Sequence, residues 1–133
     1  MPVISHSTLP FHEVPRIKTR VLASEKEGAE ETSIWEQWIE PNGHIPLHYH
    51  ETEEVLIILE GDISLTLEGK TSQVTAPATV IVPVRQVHGL RPTGASPVHL
   101  LAIFPSAVPK IFSPDGSVRP LPWEDFEVSE KPP

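Results

Sequence analysis

Hydrophobic and polar residues alternate with a period of two along much of the chain. In 63–68, Ile63, Leu65 and Leu67 fall on one face and Ser64, Thr66 and Glu68 on the other, the pattern of a half-buried strand. Ser33 to Glu40 is rich in β-formers and would place Trp35, Gln37 and Ile39 on one face and Glu36 and Trp38 on the other. Leu47 to Tyr49, Val55 to Glu60, Ser72 to Ala76, Thr79 to Val82 and Val98 to Phe104 read as further strands. Turn formers punctuate them: Pro41-Asn42-Gly43, Gly61-Asp62, Gly69-Lys70, Pro77, Pro83, Pro92-Thr93-Gly94 and Pro97. No long stretch follows a helical period. Short strands with closely spaced turns predict an all-β sandwich or barrel.

Three zones follow within one domain. Residues 1–32 read as an N-terminal arm and an acidic loop, since Pro2, Pro10 and Pro15 break the arm into short pieces and Glu25 to Glu31 is charged. Residues 33–105 form the barrel core. Residues 106–133 are a proline-rich C-terminal tail, expected to dock Phe112, Trp123 and Phe126 on the surface or on a partner. Val55 to Leu59 is apolar at every position, so both faces of that strand seek cover. One face fills the barrel, and the other calls for more chain or a second subunit, which points to a homodimer.

Composition narrows the function. The 133 residues suffice for one core, and 38% hydrophobic content suits a packed globule. Sixteen prolines disfavour long helices. A net charge of −8 gives no basic footprint for nucleic acid and no attraction to anionic membranes. Zero cysteines exclude disulfides, thiolate metal sites and a cysteine nucleophile. Neither a signal-peptide pattern nor an apolar run approaching the ~20 residues of a membrane helix is present, so the expected location is cytoplasmic.

The candidate chemistry lies in the histidines. Five of the seven fall between positions 44 and 99. His48 and His50 are two apart, so a strand would present both imidazoles on one face, able to converge on an ion. Glu54 shares their parity across a short turn, and His88 would have to arrive from another strand. A P-loop and a G-x-S-x-G elbow are both missing, which leaves phosphoryl transfer and serine hydrolysis without support.

Gly43, four residues, His48-Tyr49-His50, three residues, Glu54, six residues and Gly61 together resemble the first motif of the cupin family, one residue short between Gly43 and His48. The second motif survives in Pro83 and His88, while Pro77, Arg85 and Pro92 replace its two glycines and its asparagine. The resemblance implies a double-stranded β-helix, or jelly-roll barrel, commonly dimeric. It also implies one divalent transition metal per chain (Fe, Mn, Ni or Zn) held by His48, His50, Glu54 and His88. Three imidazoles and a carboxylate suit such ions better than Mg or Ca.

The expected function is that of a metal-dependent enzyme of dioxygenase or oxidoreductase type on a small, partly apolar molecule. Leu56, Ile58, Val80 and Val82 are candidate lining residues. Two alternatives stay open: a metal-dependent isomerase, cyclase or lyase on a sugar acid or oxo-acid, and a non-catalytic binding module. Arg85, as a partner for a substrate carboxylate, and His44, as an acid or base, are weaker catalytic candidates. His99 is expected to be a hydrogen-bonded barrel residue, and Tyr49 to face away from the metal.

Overall fold

The computed structural model describes residues 1–123. Its strands are β1 (Phe11–Val14), β2 (Ile17–Ala23), β3 (Ser33–Ile39), β4 (Ile45–His48), β5 (Glu54–Glu60), β6 (Asp62–Leu67), β7 (Lys70–Thr75), β8 (Ala78–Val82), β9 (His88–Pro92), β10 (Val98–Phe104), β11 (Ile111–Phe112) and β12 (Val118–Arg119). A six-stranded sheet runs β1-β2-β3-β10-β5-β8, a four-stranded sheet runs β4-β9-β6-β7, and β11 pairs with β12. Every strand pairing is antiparallel. The two larger sheets face each other as a jelly roll, with Ile39, Ile58, Ile63, Val98, Leu100 and Phe104 fully buried between them.

Local chemistry explains the turns that matter. Between β6 and β7 only Glu68 and Gly69 intervene, and both take positive φ, +48° and +79°. That is the hairpin turn whose twist matches the flanking strands. The strand therefore resumes at Lys70, two residues earlier than the sequence suggests. Gly61 makes the corner at which the chain leaves the six-stranded sheet and enters the four-stranded one. Its φ is +98°, and a Cβ there would lie 2.9 Å from Val98 Cγ2. Glycine is required on both counts.

The stretch read as an arm is partly sheet. β1 and β2 form a hairpin, and β2 pairs with β3 from Ile17↔Ile39 onward. Polar residues in β2 hid this from the apolar pattern: Lys18 and Arg20 point outward while Thr19 is buried at 2% exposure. In the C-terminal zone, Phe112 stacks on Tyr49 with centroids 5.2 Å apart, and Trp123 meets Trp35 edge to face at 5.1 Å. Phe126 lies outside the described residues.

Val55 to Leu59 behaves as its composition suggests. Leu56 and Ile58 point into the core, and Val55, Ile57 and Leu59 point out. The outer face continues through Ile81, which pairs with Val55, and through Leu101 and Ile103, which pair with Ile57 and Val55. Ile81 is 60% exposed and Leu59 39%.

Candidate metal centre

The two sheets bring the four motif residues together. His48 closes β4 and His88 opens β9, and the two are directly paired. Tyr49 exchanges two backbone hydrogen bonds with Phe112 and turns its ring away from the cavity, so His50 points back inside. Glu54 opens β5, in the opposite sheet. All four residues are buried, and one candidate ligand atom from each lies within 4.8 Å of the others. Among the described residues this is the one cluster able to hold a metal ion.

Each imidazole is held by its outer nitrogen. Nδ1 of His48 lies 2.9 Å from the Pro46 carbonyl, Nδ1 of His50 2.7 Å from that of Lys110, and Nδ1 of His88 2.9 Å from that of Gln86. A carbonyl only accepts, so each Nδ1–H donates and each Nε2 faces the centre. This arrangement orients imidazoles for metal ligation.

Electrostatics sharpen the picture. Burial, assisted by His88 and His50, pulls His48 down to about 4, and burial also lowers His50. Both are therefore neutral at neutral pH. Their Nε2 atoms, 3.1 Å apart, are then two acceptors facing each other without a proton between them. A cation resolves that conflict. Burial pushes Glu54 up, but the hydrogen bond from His88 and the attraction of the imidazoles around it outweigh this and hold it below the ordinary carboxylate value. Burial lowers His88, yet its 2.8 Å bond to Glu54 Oε1 raises it further. The donor set of three imidazoles and one carboxylate fits a divalent transition metal.

The turn before His88 explains how a degraded motif can still deliver its histidine. Arg85 occupies a glycine position of the family motif and adopts φ +64°, the left-handed conformation that glycine favours. Its backbone N–H donates to the His50 carbonyl at 3.0 Å. The Arg85 side chain points outward, two-thirds exposed and 3.8 Å from Glu51. His44 is also exposed, and neither it nor Arg85 lines the cavity beside the cluster. His99 lies on the outer face of its sheet, hydrogen-bonded to Glu36 at 2.8 Å and stacked on Trp38.

That cavity holds about 210 Å³ and its walls are mostly apolar. Of the four expected lining residues only Leu56 contributes, while Ile58 and Val82 are fully in the core and Val80 packs against it. Val14, Ile17 and Thr19 from the N-terminal hairpin, Trp35 and Gln37 from β3, and Trp123 line it too, unforeseen except that Trp35 and Gln37 share a strand face. Arg119 lines it as well, with Nη2 on the Leu47 carbonyl and on Ser113 Oγ.

Comparison with known proteins gives a consistent family. The chain is 31% identical over 101 residues to auxin-binding protein 1 of Arabidopsis thaliana, covering 69% of this chain and 51% of that protein. Its fold matches the polyketide cyclase RemF of Streptomyces resistomycificus with a TM-score of 0.72 at 24% identity, over 96% of this chain and 93% of the other. It matches Lactobacillus farciminis oxalate decarboxylase with a TM-score of 0.75 at 22% identity, over 82% of this chain and 34% of that one. The chain thus spans about half of the plant relative and a third of the decarboxylase. Since the Cupin domain profile matches residues 35–104, more than half of the chain, the protein belongs to the cupin family.

Proposed function

We propose that this protein is a metal-dependent enzyme of dioxygenase type acting on a small, largely apolar organic molecule. The observation that carries this reading is the set of four buried donors with every Nδ1 pinned on a carbonyl, opening on an apolar cavity. A bound Fe, Mn, Ni or Zn ion would supply Lewis acidity and, for the redox-active metals, electron exchange with dioxygen. The chain's own part is to orient the ligands, exclude bulk water with Trp35, Leu56 and Trp123, and strengthen polar contacts inside by its low polarity. An oxygen electrode tests the reading. The iron-loaded chain is expected to consume dioxygen with an enol, phenol or diketone, and no consumption across such a panel overturns it.

A second reading keeps the metal as a Lewis acid for cyclisation or isomerisation. It is favoured by the likeness in fold to a polyketide cyclase over nearly the whole of both chains. Turnover with zinc under nitrogen would select it.

We also propose that the protein acts in the cytoplasm as a homodimer, joined through the outer face of Val55, Ile57, Ile81, Leu101 and Ile103. Those positions carry no charge, so a two-fold axis can place the face on its own copy without repulsion, which a chain of net charge −8 otherwise favours.

A further inference from the structure

Besides Arg119, whose guanidinium is held by the Leu47 carbonyl and Ser113 Oγ, the cavity has polar groups at two separate places. One is the four-donor cluster. The other is the pair Thr19 and Gln37, in which Gln37 Nε2 donates to Thr19 Oγ1 at 3.1 Å. Thr19 is 2% exposed, so its hydroxyl is committed to the amide. Gln37 Oε1 makes no hydrogen bond with any described residue, although the residue lines the cavity. Gln37 is half-buried, so that oxygen is reachable from the cavity and open to a donor on a guest.

The sheet register sets the distance between the two places. Gln37 pairs with Leu100, and Leu100 with Ile58, four residues beyond Glu54 on β5. At a rise of about 3.3 Å per residue, the amide lies about 13 Å along the strands from the level of Glu54. The wall between is apolar, with Trp35 and Leu56 at the intermediate level. A molecule that satisfies both places must be longer than one ring, apolar in the middle and oxygenated at both ends. A compact dianion fits less well: beyond Arg119 it gains nothing from the apolar walls, and it cannot reach the amide.

We infer that the cavity selects an elongated apolar molecule, such as two fused aromatic rings. Adjacent oxygens on one ring would meet the metal, and a hydroxyl on the far ring would donate to Gln37 Oε1. This rests on the metal reading above. Gln37 is the specificity-determining residue and Thr19 positions it.

Calorimetry on the zinc-loaded full chain tests this with catechol, a naphthalene diol with adjacent hydroxyls, the triol that adds a hydroxyl on the far ring, and oxalate. Zinc is used because it does not oxidise the probes. The triol is expected to bind about tenfold more tightly than the diol, the value of one well-placed hydrogen bond. Catechol should bind more weakly than the diol and oxalate weakest of all. In Gln37→Leu the triol's advantage should vanish while diol affinity and zinc content hold. Thr19→Val, which unpins the amide, should cut that advantage and serves if the first variant does not fold. An unchanged triol preference in both variants, no preference in the wild type, or oxalate as the tightest ligand overturns the inference. A chain that takes up no zinc overturns the metal reading instead, and the triol-against-diol comparison on that zinc-free chain still reads Gln37.

Discussion

The Nε2 atoms of His48 and His50 face each other at 3.1 Å, while the Nδ1 atoms behind them are tied to the carbonyls of Pro46 and Lys110. Neither ring can turn to relieve the contact without giving up a hydrogen bond. A metal ion held by the four donors would satisfy both acceptors at once. Mass spectrometry on chain produced without a histidine tag should find about one equivalent of metal, and His50→Ala should lower affinity by at least about 100-fold. Wild-type chain that refuses every divalent transition metal would refute the assignment.

Metal removal should also be visible as lost stability. A ligand at about 100 times its Kd stabilises the native state by about 2.7 kcal/mol. For a chain of this size that is a fall of roughly 10 °C in Tm on chelation. In His50→Ala, chelator should leave Tm unchanged, and scanning calorimetry reads both.

Arg85 holds a left-handed backbone at φ +64°. Arg85→Gly should relieve strain of about 1 kcal/mol, partly offset by glycine's entropy in the unfolded chain. The lost contact with Glu51 is solvent-exposed and contributes little. The expected net gain is about 0.5 kcal/mol, seen as a higher urea midpoint at constant slope. A loss above about 1 kcal/mol would show that the arginine side chain matters after all.

Glu36 binds Arg20 through Nε and Nη2, at 3.0 and 2.7 Å, and His99 at 2.8 Å. Burial raises its carboxyl, but the hydrogen bonds from His99 and Arg20 prevail and lower it below the ordinary 4.5. A depressed folded-state value means stability that is present above pH 4.5 and lost as pH falls through the folded value. Glu36→Gln should therefore cost about 2 kcal/mol at neutral pH and much less near pH 3. Denaturant titrations at the two pH values give the comparison, and a cost independent of pH would remove charge from the explanation.

The outer-face proposal predicts a specific variant. Ile57→Lys, placed in the middle of the patch, should convert a dimer into a monomer at micromolar concentration in analytical ultracentrifugation, with the cluster still binding metal. A wild-type chain that already sediments as a monomer would dismiss the interface.

Much of the fold could be read directly from the chain. The alternation in 63–68, the continuous apolar run of β5 and the punctuating prolines and glycines mark strands whose burial follows that pattern. Of the four clustered donors, the spacing of two paired His48 with His50, whereas the full set with Glu54 and His88 followed from the resemblance to the cupin motifs, because those two arrive from other strands. Two things escaped. The hairpin of β1 and β2 carries Lys18, Thr19 and Arg20 within seven residues, and its place is set by pairing with β3, which no local pattern encodes. The lining of the cavity escaped for the same reason, since it depends on which residues face one another across two sheets.

Part of the cavity wall comes from outside the stretch that carries the four donors. The four donors lie between positions 48 and 88, inside the profile-matched core, whereas Val14, Ile17, Thr19, Arg119 and Trp123 come from segments flanking it on either side. A change confined to either flank would therefore reshape the chamber and leave all four donors in place.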